Sequence, residues 1–309
     1  MTNTDRILPG VALMITFCVI APLIDVASKL AAQQVPVGVV TLGRFVVQGC
    51  LMLALAWFMG LGLAMSRRVW WLILLRALVS IISTYCFIAA VRVMPIADAL
   101  AIVFVEPFII LLMGRLAMGE QVGPRRLAAC AFGFVGSLFV IQPSFMHFGA
   151  VALLPLGTAL TFAIYILVTR SLSRHLHPVS MQFHTAWLAG LVCLPLLIIG
   201  DAFDEPSLRL VAPQGIFWLW CFGVGLAATV SHMAMTYALK FAPSSTLAPL
   251  HYLEIVPATI FGLTIFGDFP NTLTWFGIGM IVTSGLYIIH RERQLSRATI
   301  TVPAPRLPV

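Results

Sequence analysis

Ten apolar runs of about 20 residues each, none alternating with the two-residue period of a barrel strand, constrain this chain more than any other feature. They fall near 7–28, 36–59, 70–91, 97–118, 125–142, 149–170, 179–200, 215–239, 244–266 and 272–290. A hydrocarbon layer offers no water to backbone N–H and C=O groups, so each run must satisfy them internally, as a helix does. Composition removes the aqueous alternative. Only 9% of the 309 residues are charged, 61% are hydrophobic, and the mean hydropathy is +1.03; soluble domains carry roughly 25% charged residues. The expected fold class is therefore an all-α polytopic membrane protein with ten transmembrane helices. Pro36, Pro95, Pro124, Pro178 and Pro243 sit at or just before helix starts, where a missing N–H costs little. Trp57, Trp70, Trp71, Trp218, Trp220 and Trp275 lie near run ends, as interfacial aromatics do.

Ten crossings put both termini on one side of the membrane. That side carries thirteen Lys and Arg; the other carries three, Lys29, Arg92 and Arg209; Arg44 and Arg76 fall within runs. The imbalance predicts a multi-pass protein of the cytoplasmic (inner) membrane with both termini cytoplasmic. The first run follows a single Arg6 and is too long for a signal-peptide core, so it is expected to be a retained helix. The net charge of +7 is spread thinly between runs and does not point to nucleic acid. All six cysteines lie inside runs and none forms a CxxC pair, so no disulfide or metal is expected. There is no P-loop, and Gly223-Val224-Gly225 lacks the strand–turn–helix setting of a nucleotide motif; no cofactor is expected. The tail, 291–309, is basic and then proline-rich and is expected to be disordered.

One stretch recurs. Arg92 to Glu120, RVMPIADALAIVFVEPFIILLMGRLAMGE, returns blurred as Lys240 to Asp268, KFAPSSTLAPLHYLEIVPATIFGLTIFGD, at an ungapped offset of 148. Pro95 meets Pro243, Glu106 meets Glu254, Gly114 meets Gly262 and Gly119 meets Gly267. A glutamate in an apolar run is rare, and here two occupy one repeat position. The chain divides into repeats at 1–143 and 144–290 with five runs each. An odd number inverts the second copy relative to the first, the pattern of secondary transporters with a midplane site at the repeat interface. Counted from opposite faces at ~1.5 Å per residue, both glutamates reach the middle of a ~30 Å core.

The ends of the two halves, VEPFIILLMGRLAMGE with ACAFGFVGSLFVIQP and LEIVPATIFGLTIFGD with TWFGIGMIVTSGLYII, resemble the EamA-type branch of the drug/metabolite transporter superfamily. Gly119-Glu120 matches the family's Gly-Glu pair. Gly267-Asp268 departs by one methylene, and Ile255 replaces the proline that Pro107 supplies in the first half. A narrower resemblance lies in IDVASKL ending the first run and LGRFVVQ around Arg44, similar to a subgroup with a D-x-x-x-K ending that includes carriers of riboflavin or S-adenosylmethionine. The resemblance implies a ten-helix carrier; other members export amino acids.

Several residues could do the work of a carrier. Glu106 and Glu254 could exchange protons or hold a substrate amine, because burial of a carboxyl group favours its neutral form; alternatively they fix helix packing. His251 shares a helix face with Glu254 and could relay a proton or make a helix contact. Arg44 could bind a carboxylate or phosphate, or pair with Asp25 or Asp98. Asp25 and Lys29 form an i,i+4 pair near the outer end of the first run, a surface pair or part of an outer gate. Tyr85, Ser83, Ser231 and His232 are candidates for a cavity wall, Ser83 and Ser231 being repeat mates; His184, Tyr165, Tyr237, Tyr252, Thr158 and Thr161 also fall in runs. Arg76 and Arg115 are read as residues that snorkel to the cytoplasmic face. The partners expected are a small-molecule substrate, the lipid bilayer and protons as a coupling ion, with monomer and homodimer both open. The expected function is a secondary carrier of a small polar metabolite, amino-acid-like or cofactor-like. A non-transporting receptor or assembly subunit would lack an internal cavity, and an intramembrane enzyme would need a motif such as HExxH, which is absent.

Overall fold

The computed structural model describes residues 6–300 except 63, 95, 121, 142–148, 174 and 267–270; the side chains of 96–98, 101, 141, 266, 292, 293 and 295–300 also fall outside it. Pro95, Gly267, Asp268 and the side chain of Asp98 thus lie outside the described residues.

The chain crosses ten times. The helices are α1 (Ile7–Ala31), α2 (Val37–Phe58), α3 (Arg67–Val93), α4 in two pieces, α4a (Ile96–Val103) and α4b (Glu106–Met118), then α5 (Pro124–Ile141), α6 (Leu153–Leu172), α7 (Pro178–Ala202) and α8 (Phe217–Phe241). The ninth crossing, α9, starts with an α-turn (Ser244–Leu247) and tightens to a 3-10 stretch (Ala248–Glu254). It resumes as α-helix (Ile255–Phe261) and ends in a π-turn (Gly262–Phe266). The last helix, α10, spans Thr272–Ile300. Eight crossings contain a helical stretch, in α9 of mixed helix type, that is apolar and long enough to span a bilayer; the others are the divided α4 and the 18-residue α5. Punctuation follows the residues. Pro36 precedes α2, Pro178 and Pro124 open α7 and α5, the Ser66 hydroxyl accepts from Val69 N at the start of α3, and Gly119 ends α4b in the left-handed conformation at φ 64°. The last helix runs ten residues into the segment expected to be a disordered tail. RERQLSRATI holds helix-favouring Arg, Gln, Leu and Ala and no breaker before Pro303.

The two halves share one plan, inverted. Ile96 and Ser244, Met118 and Phe266, and Pro124 and Thr272 bound matching elements, each pair 148 residues apart. Packing obeys the same symmetry. Contact of α1 with α8 has its mate in α6 with α3, contact of α1 with α9 has its mate in α6 with α4, and α2 with α7 and α5 with α10 each pair a helix with its own repeat copy. A twofold axis requires that exchange. Large apolar side chains such as Leu53, Leu112, Leu191, Leu194, Ile198 and Leu286 stay exposed on the outward helix faces, where lipid replaces water.

Candidate substrate cavity at the repeat axis

Both α4 and α9 lose their α-helical hydrogen bonding next to their glutamate, for different covalent reasons. In α4, Pro107 has no N–H for the Val103 carbonyl, and its ring crowds that carbonyl. The chain responds with tight bonds, Val105 N to Ile102 O at 3.2 Å and Phe108 N to Val105 O at 3.1 Å. In α9, Ile255 stands where a proline would match Pro107, but Pro249 and Pro257 remove the donors for residues 245 and 253, and the 3-10 stretch ends at Glu254. Glu106 is the first residue of α4b and Glu254 immediately precedes the α-helical part of α9. Both therefore sit at the positive end of a helix dipole.

The break in α4 frees the Phe104 carbonyl, and the Tyr252 hydroxyl donates to it at 3.1 Å. Residues 104 and 252 are repeat mates, and their rings meet edge-to-face with centroids 5.6 Å apart. Repeat-equivalent residues touch only at the axis, so this contact locates it. Beside it lies a cavity of about 110 Å³, walled by both halves. Its polar lining is Asp25 from α1, Arg44 from α2, Ser80, Ser83 and Thr84 from α3, Glu106 from α4b, Thr158 from α6, His232 from α8, and His251 and Glu254 from α9; Phe17 and Phe162 complete the wall around the two histidines.

Four buried atoms on this wall, Asp25 Oδ2, Arg44 Nε, Thr84 Oγ1 and Glu106 Oε1, have no hydrogen-bond partner among the described residues. The His251 imidazole is held off, with Nδ1 standing 3.5 Å from Glu106 Oε1, beyond the ~2.7–3.2 Å of a good hydrogen bond. Buried polar atoms are nearly always satisfied. Four unsatisfied ones around one cavity are what a site for a polar guest requires. Among the described residues no three His, Cys, Asp or Glu converge as metal ligands.

The EamA-like transporter family model matches residues 8–142 and again 149–290, one copy on each repeat. This chain belongs to the EamA-like transporter family. The EamA-like chain is 32% identical to a riboflavin transporter of Rhizobium johnstonii over 241 residues, 77% of this chain and 76% of the relative. It is 22% identical to an S-adenosylmethionine uptake transporter of Rickettsia felis, covering 87% of this chain and 88% of the relative. A pseudopaline exporter of Pseudomonas aeruginosa is 25% identical, with 75% and 79% covered. One crystal structure superposes with a TM-score of 0.74 at 18% identity, over 94% of this chain and 98% of that one, which shows a shared fold.

In this EamA-like chain the residues singled out from sequence divide. Glu106, Glu254, Arg44, His251, Ser83 and His232 all line the one cavity, and Asp25 joins them from α1, deeper than an outer surface pair would be. Lys29 sits at the end of α1 outside that lining. Tyr85 points elsewhere, its hydroxyl 2.8 Å from Ser207 Oγ in the α7–α8 loop. Ser231 is fully buried and bonds back to the Ala228 carbonyl at 3.4 Å, and His184 is not on the wall. Arg76 corrects a sequence reading. It does not snorkel but is fully buried, donating to Thr169 at 2.8 Å, Tyr165 at 2.5 Å and Thr185, with its guanidinium stacked 4.2 Å from the Tyr165 ring. Tyr165 in turn meets His232 Nδ1 at 3.1 Å, and His232 Nε2 meets Arg44 Nη2 at 3.2 Å. Arg44 can only donate, so His232 must accept at Nε2 and carry its proton on Nδ1. A polar chain from four helices thus holds the Arg44 guanidinium at the cavity. Gln48 and Gln182 extend this seam at 2.7 Å. Sequence reading passed over both glutamines; polar residues in apolar runs were the available signal.

Proposed function

We propose that this chain is a secondary carrier that moves a small polar metabolite across the cytoplasmic membrane by alternating access, with both termini in the cytoplasm. The observation that carries the proposal is the cavity at the repeat axis, built by both halves and lined by unsatisfied polar atoms. A solid core would have favoured a receptor or assembly subunit. The thirteen-to-three distribution of Lys and Arg supports the orientation. The relatives named for riboflavin, S-adenosylmethionine and pseudopaline support an organic metabolite as cargo, with riboflavin first to be tested because that relative, at 32% identity, is more similar than the other two.

At about 110 Å³ the cavity is well below the ~300–1,000 Å³ of typical ligand sites. Cargo binding on this reading accompanies a rocking of the halves that widens the site. Glu106 and Glu254, at equivalent places in the two halves, are the proton-exchanging groups. Uptake of radiolabelled riboflavin into proteoliposomes, with and without an imposed pH gradient, tests both parts. Wild-type uptake should follow the gradient, and Glu106→Gln and Glu254→Gln should abolish that dependence. Uptake indifferent to the gradient in all three proteins would remove the proton role; no flux of riboflavin, S-adenosylmethionine or amino acids would overturn the carrier reading.

A further inference from the structure

We propose that this chain has a second binding site, for a phosphate-bearing anion, in the wide recess on the face where both termini lie. The recess has a volume of about 1310 Å³ and lies apart from the axial cavity, sharing none of its wall residues. Four guanidinium groups from four helices converge on it: Arg115 from α4b, Arg126 from α5, Arg170 from α6 and Arg291 from α10. Among the described residues Glu120 is the one acid on the wall, and its charge is already engaged. One oxygen accepts from Ser244 N at 3.1 Å and Ser244 Oγ at 2.9 Å, and the other from Ser245 N at 2.7 Å. Arg170 is spent in part on the Leu239 carbonyl at 2.6 Å. Arg291 is different: its Nε and Nη1 are shielded from solvent and meet no acceptor among the described residues.

The orientation rule explains why arginines occupy this face, but it does not require them to line one concavity around unsatisfied guanidinium nitrogens. Nor does the repeat produce them, since Leu263, Thr274 and Pro22 stand at the positions equivalent to Arg115, Arg126 and Arg170. Planar guanidiniums in a recess where the described residues offer little opposing charge match the oxygens of a phosphate mono- or diester better than a spherical halide. A soluble phosphate ester and an anionic lipid headgroup both carry that chemistry.

The test reads binding, not flux, so its outcome is independent of the carrier proposal. The full chain is purified in a neutral detergent and titrated with inorganic phosphate and with glycerol 3-phosphate, against sodium chloride at matched ionic strength, following thermal stability. Saturable stabilisation by the phosphate compounds beyond chloride is expected. Arg115→Gln and the double variant with Arg291→Gln should weaken it by about tenfold or more, while Glu254→Gln, on the other cavity, should not. Nanodiscs of phosphatidylcholine with and without phosphatidylglycerol separate the sources. Stabilisation by glycerol 3-phosphate in phosphatidylcholine alone assigns a soluble ester; stabilisation by phosphatidylglycerol that the soluble ester cannot reproduce assigns a headgroup. Equal stabilisation by chloride, or unchanged phosphate affinity in folded Arg115→Gln and the double variant, would overturn the proposal.

Discussion

Replacing Tyr252 with Phe removes one oxygen at the repeat axis and leaves the ring. The edge-to-face contact with Phe104 at 5.6 Å persists, so no cavity opens and the measured change is that of the hydroxyl. Its bond to the Phe104 carbonyl, 3.1 Å long, is lost. In a continuous helix the N–H of residue 108 would serve that carbonyl, but it is committed to Val105 at 3.1 Å. An orphaned buried acceptor costs ~1–3 kcal/mol in soluble proteins. Side-chain bonds in a membrane average only ~0.6 kcal/mol and reach ~1.7, because the unfolded chain in lipid finds substitutes. The expected loss is about 1–2 kcal/mol, near the upper membrane figure, since among the described residues the Tyr252 hydroxyl is the donor that serves this carbonyl. Unfolding titrations in mixed micelles of neutral detergent and dodecyl sulfate, followed by circular dichroism, measure it. Tyr85→Phe is the control. Its partner Ser207 lies in the α7–α8 loop, where water can replace the lost bond, and its change should be near zero. A Tyr252→Phe loss within ~0.3 kcal/mol of wild type, the usual scatter of such comparisons, would refute the idea that the Tyr252 hydroxyl serves a carbonyl freed by the break in α4.

Other outcomes follow from close contacts. A Cβ on Gly277 would lie 2.5 Å from the Gly136 carbonyl oxygen at the α5–α10 crossing, whereas one on Gly279 meets nothing within 4 Å. Gly277→Ala should lower stability by about 1–3 kcal/mol through overpacking and Gly279→Ala should be silent, measured by the same titration. Glu120→Ala removes three hydrogen bonds at the start of α9 and should cost about 1–2 kcal/mol, as loss of a good N-terminal cap does. Faster hydrogen exchange of the amides of Ser244 and Ser245 should report that loss locally, and unchanged exchange would argue against the cap.

Much of the architecture was legible from residues. Matched residues such as Glu106 and Glu254 gave the 148-residue offset, and it reappears in matching element bounds at Ile96 and Ser244 and at Pro124 and Thr272. Six of the eight residues first proposed for a binding site share one wall. The exceptions are instructive. Tyr85 and Ser231 lie in runs at plausible depth, but their helix rotation points them to a loop and to a helix backbone. Arg76 lies near a run end, where snorkelling is the ordinary expectation, yet Thr169, Thr185 and Tyr165 from two other helices receive it inside. The interruption in α9 was obscured because its prolines, 249 and 257, do not coincide with the Pro107 position of the first repeat.

Crossing number and inversion were determined by the sequence itself, for a physical reason. Each crossing must satisfy its own backbone in lipid, so hydropathy and length act locally along the chain and can be read locally. Which side chains meet was decided only by tertiary structure. Lipid is as apolar as the helix surfaces, so hydropathy does not dictate helix rotation; close packing at small residues and hydrogen bonds between helices do. Those contacts brought Asp25, Arg44, Glu106, His232, His251 and Glu254 from five helices around one cavity, and placed Tyr252 against its own repeat mate.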